Sequence, residues 1–459
     1  MSSHRQKAFC FAAVILAATF THAQSRSSWI DPYRDNATRL MKASASDDFA
    51  WRRVAELTDT FGSRVSGSAN LERAVAWAAE TMKADGLENV RIEPVMVPRW
   101  VRGRESAEIV DPPHHPIAML GLGGSIGTPP AGIEAEVLVV NTFDELRGRG
   151  AEAKGRIVLF NAPFTSYGDT VSYRTGGARA AAQHGAVASL VRAVGGMGLR
   201  TAHTGSVAYG NGVPAIPAAS ISVEDANRIA RLTARGLRVR VRLTMEARTE
   251  PDSRSANVVG ELRGREKPEE IVLLGGHFDS WDVGTGASDD GVGCIVTWEA
   301  ARLMVKLGIR PRRTVRIVLW TNEENGLRGA LAYAEKHAAH AANHVFALES
   351  DSGVFEPASL GFTGSNAART LVRDIWSLLA PLGIPEIVAG GGGADVGPIA
   401  QAGNAPTMAY LGDPTRYFTI HHTPADTVER IAPEEVSKAA AAIAVMAYVI
   451  ADMPERLPR

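Results

Sequence analysis

Three short apolar runs in this chain each end in side chains that can hold metal. Ile271-Val272-Leu273-Leu274-Gly275-Gly276 leads into His277-Phe278-Asp279, with Asp289-Asp290 beyond. Val315-Arg316-Ile317-Val318-Leu319-Trp320 leads into Glu323-Glu324, and Val345-Phe346-Ala347-Leu348 leads into Glu349-Ser350-Asp351. So many carboxylates in one place would repel one another unless something cationic sat among them. The pattern therefore points to more than one metal ion. His422 joins this set from the loop His421-His422-Thr423-Pro424-Ala425-Asp426-Thr427. Zn²⁺ takes imidazole nitrogen and carboxylate oxygen, and a catalytic site leaves one position open for water. Two ions need about three protein ligands each. The five candidates His277, Asp289, Glu324, Asp351 and His422 suffice if one is shared. Asp289 is the natural bridge, because it opens a helix after a loop rich in glycine (Gly284, Gly286, Gly291, Gly293). Asp279, two residues after His277 on a strand, would share its side and could hold the second imidazole N–H. Glu323 and Glu324 are adjacent and cannot point the same way. One can bind metal while the other stays free as a general base toward water.

The elements that must position these groups follow from hydrophobic pattern. Short apolar runs bounded by polar turns read as buried strands of a parallel sheet. In open α/β sheets ligands bind at the carboxyl ends of strands. The expected fold is α/β, with a mixed, mostly parallel sheet flanked by helices. Leu71, Ala74, Val75, Ala78 and Met82 follow helical spacing over 71–85, and Gly86 ends that helix. Residues 90–95 alternate like a strand, and 257–262 form a strand ahead of the first ligand strand. The Ala-rich segment from Pro433 to Asp452 is the last helix, and Thr407 to Leu411 is a strand before the His422 loop. Residues 112–248 differ in texture. Short strands are expected at 134–140, 155–161, 186–194 and 218–221, with one Ala-rich helix around 178–184 and a Gly/Thr-rich loop over 195–212. This stretch holds no dense acid/His cluster. It reads as a β-rich insertion between 24–111 and 249–459, which together make the catalytic domain.

The chain of 459 residues is long enough for a large core plus such an added module. A formal net charge of -1 gives no sign of nucleic acid or of an anionic membrane as partner. Residues 1–23 read as an export signal. His4, Arg5 and Lys7 precede an apolar stretch from Ala8 to Phe20, too short to span a bilayer, and Thr21-His22-Ala23 suits cleavage after Ala23. The protein is thus expected in the periplasm or secreted, with no membrane attachment after cleavage. Cys10 leaves with the signal, so Cys294 remains alone and reads as a buried thiol. An exported chain without a disulfide relies on its core and on metal.

Other suggestive residues carry less. His337, His340 and His344 are spaced as on one helix face, but no carboxylate partner stands out. His114-His115 is a loop pair. Gly390 to Gly393 lacks the Lys-Ser/Thr of a phosphate loop. That run suits close backbone approach to a ligand, with Asp395 near the site.

The strings Gly276-His277-Phe278-Asp279-Ser280, Ala287-Ser288-Asp289-Asp290-Gly291, Asn322-Glu323-Glu324, Glu349-Ser350-Asp351 and His422-Thr423 with Asp426-Thr427 resemble the co-catalytic zinc aminopeptidase and glutamate carboxypeptidase family. The resemblance implies two Zn²⁺ per chain, held by His277, Asp289, Glu324, Asp351 and His422, with Asp289 bridging. It implies Glu323 as general base, Asp279 behind His277, and a cis peptide between Asp289 and Asp290. His421 is the alternative to His422. The insertion resembles a protease-associated domain, through Gly155-Arg156-Ile157-Val158-Leu159-Phe160 and the Ala-rich helix before Gly185-Ala186. The implied activity is that of an exopeptidase on dipeptides or short peptides with free termini, by attack of a zinc-bridging hydroxide assisted by Glu323. A homodimer is compatible with it. Two competing functions share the scaffold: a non-catalytic binding protein, whose mark would be lost ligands, and a glutaminyl cyclase-like acyltransferase, whose members lack the insertion.

Overall fold

The computed structural model describes residues 28–196 and 198–459. The expected signal over 1–23 lies outside the described residues. Two eight-stranded sheets organise the chain. The first is ordered Glu88–Val101, Arg248–Leu262, Arg313–Trp320, Lys267–His277, His344–Glu349, Thr407–Leu411, Ser359–Thr363, Ile387–Ala389. Its centre is parallel, with Lys267–His277 between Arg313–Trp320 and His344–Glu349. Antiparallel pairings flank that centre on both sides. The sheet is therefore mixed, with helices on both faces.

Both faces are buried because the central strands are apolar at odd and even positions alike. Val272, Leu274, Val315, Ile317 and Leu319 join one core with the helices Val292–Lys306 and Pro433–Asp452. Ile271, Leu273, Val318 and Trp320 join a second core with Arg328–Lys336 and Gly397–Gly403. Pro433–Asp452 is buried along nearly its whole length, which explains its lack of a polar stripe. Register places the strand ends level. His277 lies beside Trp320, and Gly275 lies beside Glu349. The loops that follow these three strands consequently open on one edge.

The second sheet is ordered His115–Ile117, Glu105–Asp111, Arg240–Met245, Ile133–Val140, Ile157–Phe160, Ala188–Arg192, Ala218–Ile221, Met119–Gly121. Tyr167–Gln183 packs on one face and Val223–Ala234 on the other. This unit starts earlier than the boundary expected at 112, because Glu105–Asp111 pairs with Arg240–Met245 rather than with the first sheet. The Ala-rich helix also starts earlier, at Tyr167 rather than near 178. Gly176-Gly177 obscures its first turns in the sequence. A Cβ at Gly177 would stand 3.0 Å from the Phe160 ring, so that glycine lets the helix lie close on the sheet.

The three spaced histidines do not share a helix. Arg328–Lys336 ends before His337, His340 is exposed in a 3-10 turn, and His344 opens a strand. His344 Nε2 lies 3.0 Å from the Tyr333 hydroxyl, while His337 Nε2 lies 3.4 Å from Glu93. Among the described residues no helix is long and apolar enough to cross a membrane.

Candidate metal centre

The carboxyl edge of the first sheet brings His277, Asp289, Glu324, Asp351 and His422 together. Asp289 stands between the two imidazoles. Its Oδ1 is 3.1 Å from His277 Nε2 and its Oδ2 is 3.1 Å from His422 Nε2. Each imidazole nitrogen faces a second carboxylate as well: His277 Nε2 is 3.3 Å from Asp351 Oδ1, and His422 Nε2 is 3.0 Å from Glu324 Oε2. The five groups thus divide into two sets that share Asp289. His421 stacks on His422 with ring centres 3.6 Å apart. Its Nε2 is farther from Asp289 Oδ2, at 3.5 Å.

The supports around this cluster are specific. Asp426 accepts from the backbone N–H groups of Ser288 (2.7 Å) and Asp289 (3.1 Å), fixing the loop that carries Asp289. The Asp289–Asp290 peptide is cis, as the resemblance implies. Asp290 Oδ2 accepts from the His277 N–H at 3.0 Å. Asp279 departs from expectation. Its backbone carbonyl, not its carboxylate, lies 3.0 Å from His277 Nδ1; the carboxylate oxygen is 4.0 Å away. The strand ends at His277, so strand alternation no longer governs residue 279. The Asp279 carboxylate instead accepts from the Glu323 N–H and from the Ser66 hydroxyl, each at 3.0 Å. It anchors the backbone beneath the expected base.

A cavity of ≈ 540 Å³ opens over the cluster, lined among others by Asp289, Glu323, Glu324, Asp351, His421 and His422. The second sheet's unit supplies Tyr167, Arg174 and Ser206 to the same wall. None of these three was singled out from the sequence, because nothing local marks a lone Tyr, Arg or Ser in a distant module. The same unit holds His422 from behind. Thr204 N–H donates to the His422 carbonyl at 2.9 Å, and the Thr204 carbonyl lies 3.2 Å from His422 Nδ1. Ser206 donates to the Glu324 carbonyl at 2.9 Å. His422 has φ 62°, a left-handed conformation that turns the loop at the ligand. Asp395 is buried and near the site, as expected: its carboxyl is pushed well up by burial and by the neighbouring Glu349 and Glu323. A Cβ at Gly391 would meet the Gly361 carbonyl oxygen at 2.2 Å, and one at Gly393 would meet the Glu349 carboxylate carbon at 2.2 Å. At these two glycines the close approach is to neighbouring protein.

The electrostatics favour a cation. Glu324 Oε1 and Asp290 Oδ1 are buried without a hydrogen-bond partner, although buried polar atoms are normally paired. Burial pushes Glu324 up to about 7, and repulsion from Asp289 adds to this. Burial alone would lower His422, but Glu324 and Asp289 more than reverse that and raise it to about 10. His277 is likewise raised well above its ordinary value, because Asp351 and Asp289 outweigh its burial. Glu323 is raised well above the usual carboxylate range by burial, with Asp351 and Glu324 adding. Each of these shifts favours a proton on the cluster, and a bound metal ion would compete with those protons. Groups of ligand atoms from His277, Asp289 and Glu324, from His277, Asp290 and Asp351, and from Asp289, His421 and His422 converge within 4.8 Å. This set of imidazole nitrogens and carboxylate oxygens fits Zn²⁺.

Residues 257–447, which contain the whole cluster, match the model of peptidase family M28. Carboxypeptidase Q of Homo sapiens is 48% identical over 410 residues, covering 89% of this chain and 87% of that protein. The crystal structure of a peptidase M28 precursor from Shewanella amazonensis SB2B superposes with TM-score 0.89 at 35% identity, covering 94% of this chain and 99% of the other. A zinc aminopeptidase from Bacillus subtilis shares the fold, with TM-score 0.67 at 20% identity over 89% of this chain and 96% of its own. The chain belongs to peptidase family M28. It is a metallo-exopeptidase, similar to carboxypeptidase Q along most of its length.

Proposed function

We propose that the chain is an exported dizinc exopeptidase that hydrolyses dipeptides or short peptides with free termini. The observation that carries this reading is the position of Asp289 between His277 and His422, each of which faces a further carboxylate. One zinc would be held by His277, Asp351 and Asp289, the other by His422, Glu324 and Asp289. Zinc bound there would supply Lewis acidity toward the peptide carbonyl and acidify water. Glu323 takes the proton of the water that attacks the carbonyl carbon and passes it to the amine as the C–N bond breaks. Asp279 keeps Glu323 in place through its N–H. Asp426 does the same for Asp289.

The second sheet's unit is read as a protease-associated domain, and its contacts to His422 and Glu324 support a role in closing the site. Export rests on the pattern of residues 1–23 and on the single cysteine left after them.

Elemental analysis of the purified protein should give two zinc per chain, and dipeptide hydrolysis should cease with a chelator. Glu323→Gln should keep its zinc and lose about 10²- to 10⁴-fold in kcat. Full activity in that variant, or a protein that takes up fewer than two zinc, would sink the mechanism.

A further inference from the structure

Arg64 reaches the loop between His277 and Asp289 from 214 residues earlier in the chain. It is fully buried and follows the helix Phe49–Phe61, which ends at Gly62 with φ 64°. Its guanidinium grips backbone carbonyls on both arms of that loop. Nε donates to the carbonyl of Phe278, directly after His277, at 2.9 Å. One terminal nitrogen donates to the Thr285 carbonyl at 2.7 Å and to that of Gly62 at 3.2 Å; the other donates to the Gly286 carbonyl at 2.9 Å. The backbone adds a reciprocal pair. The Arg64 N–H donates to the Ser280 hydroxyl at 2.9 Å, and the Ser280 N–H donates to the Arg64 carbonyl at 3.2 Å. Among the described residues, no carboxylate oxygen lies within 4.0 Å of this guanidinium. Arg313, equally buried, is paired with Glu270. Burying a charge is costly unless it is paired and hydrogen-bonded, and at Arg64 the carbonyls of the loop do that in place of an acid.

The carbonyls it holds are those that set the ligands. Phe278 fixes the backbone leaving His277. The Gly286 carbonyl accepts from the Gly291 N–H as well, at 3.0 Å, so both of its lone pairs are used across the turn that contains Asp289. Asp426 grips the same turn by the N–H groups of Ser288 and Asp289, so the turn is held by its donors from one side and by its carbonyls from the other. A planar fork of five N–H groups can serve several acceptors in fixed directions, which the point charge of a lysine does not. Arg64 is absent from the cavity wall, so it touches no substrate.

We propose that Arg64 is a positioning residue: by fixing the span from Phe278 to Gly286 it sets the separation of His277 and Asp289, and with it the affinity of the site for zinc. This role presupposes the dizinc exopeptidase reading above. Arg64→Lys keeps the charge and loses the fork. Zinc affinity of the folded variant, measured by competition with a chelating dye, should fall about 10- to 10²-fold, as when a group behind a metal ligand is lost. At saturating zinc, kcat for alanylalanine should fall about 10-fold or more while KM stays within about threefold. A merely structural role would lower the denaturant midpoint of the zinc-free protein and leave the zinc affinity of folded protein as in the wild type. That result overturns the proposal, as does a raised KM with unchanged kcat. Should Arg64→Lys fail to fold, the wild type decides. Coupling is reciprocal, so zinc should slow amide hydrogen exchange at residues 62–66 more than in the second sheet's strand Ile157–Phe160. Slowing no greater than in that strand overturns the proposal. If the wild-type chain binds no zinc or hydrolyses no dipeptide, the exopeptidase reading itself fails; if it does both and Arg64→Lys matches it, only the role of Arg64 fails.

Discussion

The two sheets are built alike at their centres and end differently. Each has a run of parallel strands with helices on both faces. In the second sheet, one polar group beyond the strand ends is fully enclosed in a network, although Asn161, Ser220 and Glu224 each keep a buried oxygen without a partner. Ser222 caps the helix Val223–Ala234, and Asp225 accepts from Ser222, from the Ala118 N–H and from Arg200. In the first sheet, the loops beyond the strand ends gather carboxylates against one another, and Glu324, Asp290, Glu349 and Asp395 keep buried oxygens without a partner. A closed polar network stabilises; an open one waits for something to complete it. The difference lies in the loops, and it is why one sheet is a scaffold and the other a site. The second sheet still contributes, but with neutral and cationic groups (Thr204, Ser206, Arg174) placed around the first sheet's acids.

The contrast can be tested from both sides. The largest effect is expected at Asp289. Asp289→Asn removes the carboxylate common to both sets, and should cost about 10³-fold or more in activity together with much of the bound zinc. Zinc content near two with full activity in that variant would mean the sharing is wrong. Asp225→Asn strikes the second sheet's closed network instead. It should cost about 1 to 3 kcal/mol of stability, read as a lower denaturant midpoint, while zinc content stays level. Lost zinc there would mean that the two units are less separable than their networks suggest.

The smallest effect concerns His344, in the first sheet but away from the cavity. Burial holds its imidazole down to about 3, from an ordinary 6.5. The unfolded chain therefore binds a proton between those values that the folded protein refuses. The folded state loses stability as pH falls below about 6.5, by at most about 1.4 kcal/mol per unit. Between pH 7 and pH 5, His344→Gln should lose about 2 kcal/mol less stability than the wild type. Equal slopes in urea titrations at the two pH values would show that His344 is not held neutral.

Much of the first sheet was legible because its signals are local. An apolar run with both phases buried marks a central strand, and His277, Glu324 and Asp351 lie within a few residues of three such ends. Less of the second sheet could be read. Glu105–Asp111 alternates like any strand, and its partner is chosen by the chain's turn after Val101, which no local pattern records. The Gly176-Gly177 pair hid half a helix because its purpose, close packing on Phe160, is a contact across the fold. The spaced histidines misled in the opposite sense: regular spacing implies one face only while the helix continues, and it stops at Lys336.

The sequence by itself determined which residue types stand at the ends of the first sheet's strands, and hence the chemistry open to them. Burial period and loop composition are properties of neighbours along the chain. Only the tertiary structure decided which oxygen of Asp289 faces which histidine, that the Asp279 carboxylate supports Glu323 rather than His277, and that Arg174 and Thr204 stand behind His422 from more than two hundred residues away. Those pairings depend on where strands turn and on how one packed unit meets another, and such distances are set by the whole fold at once.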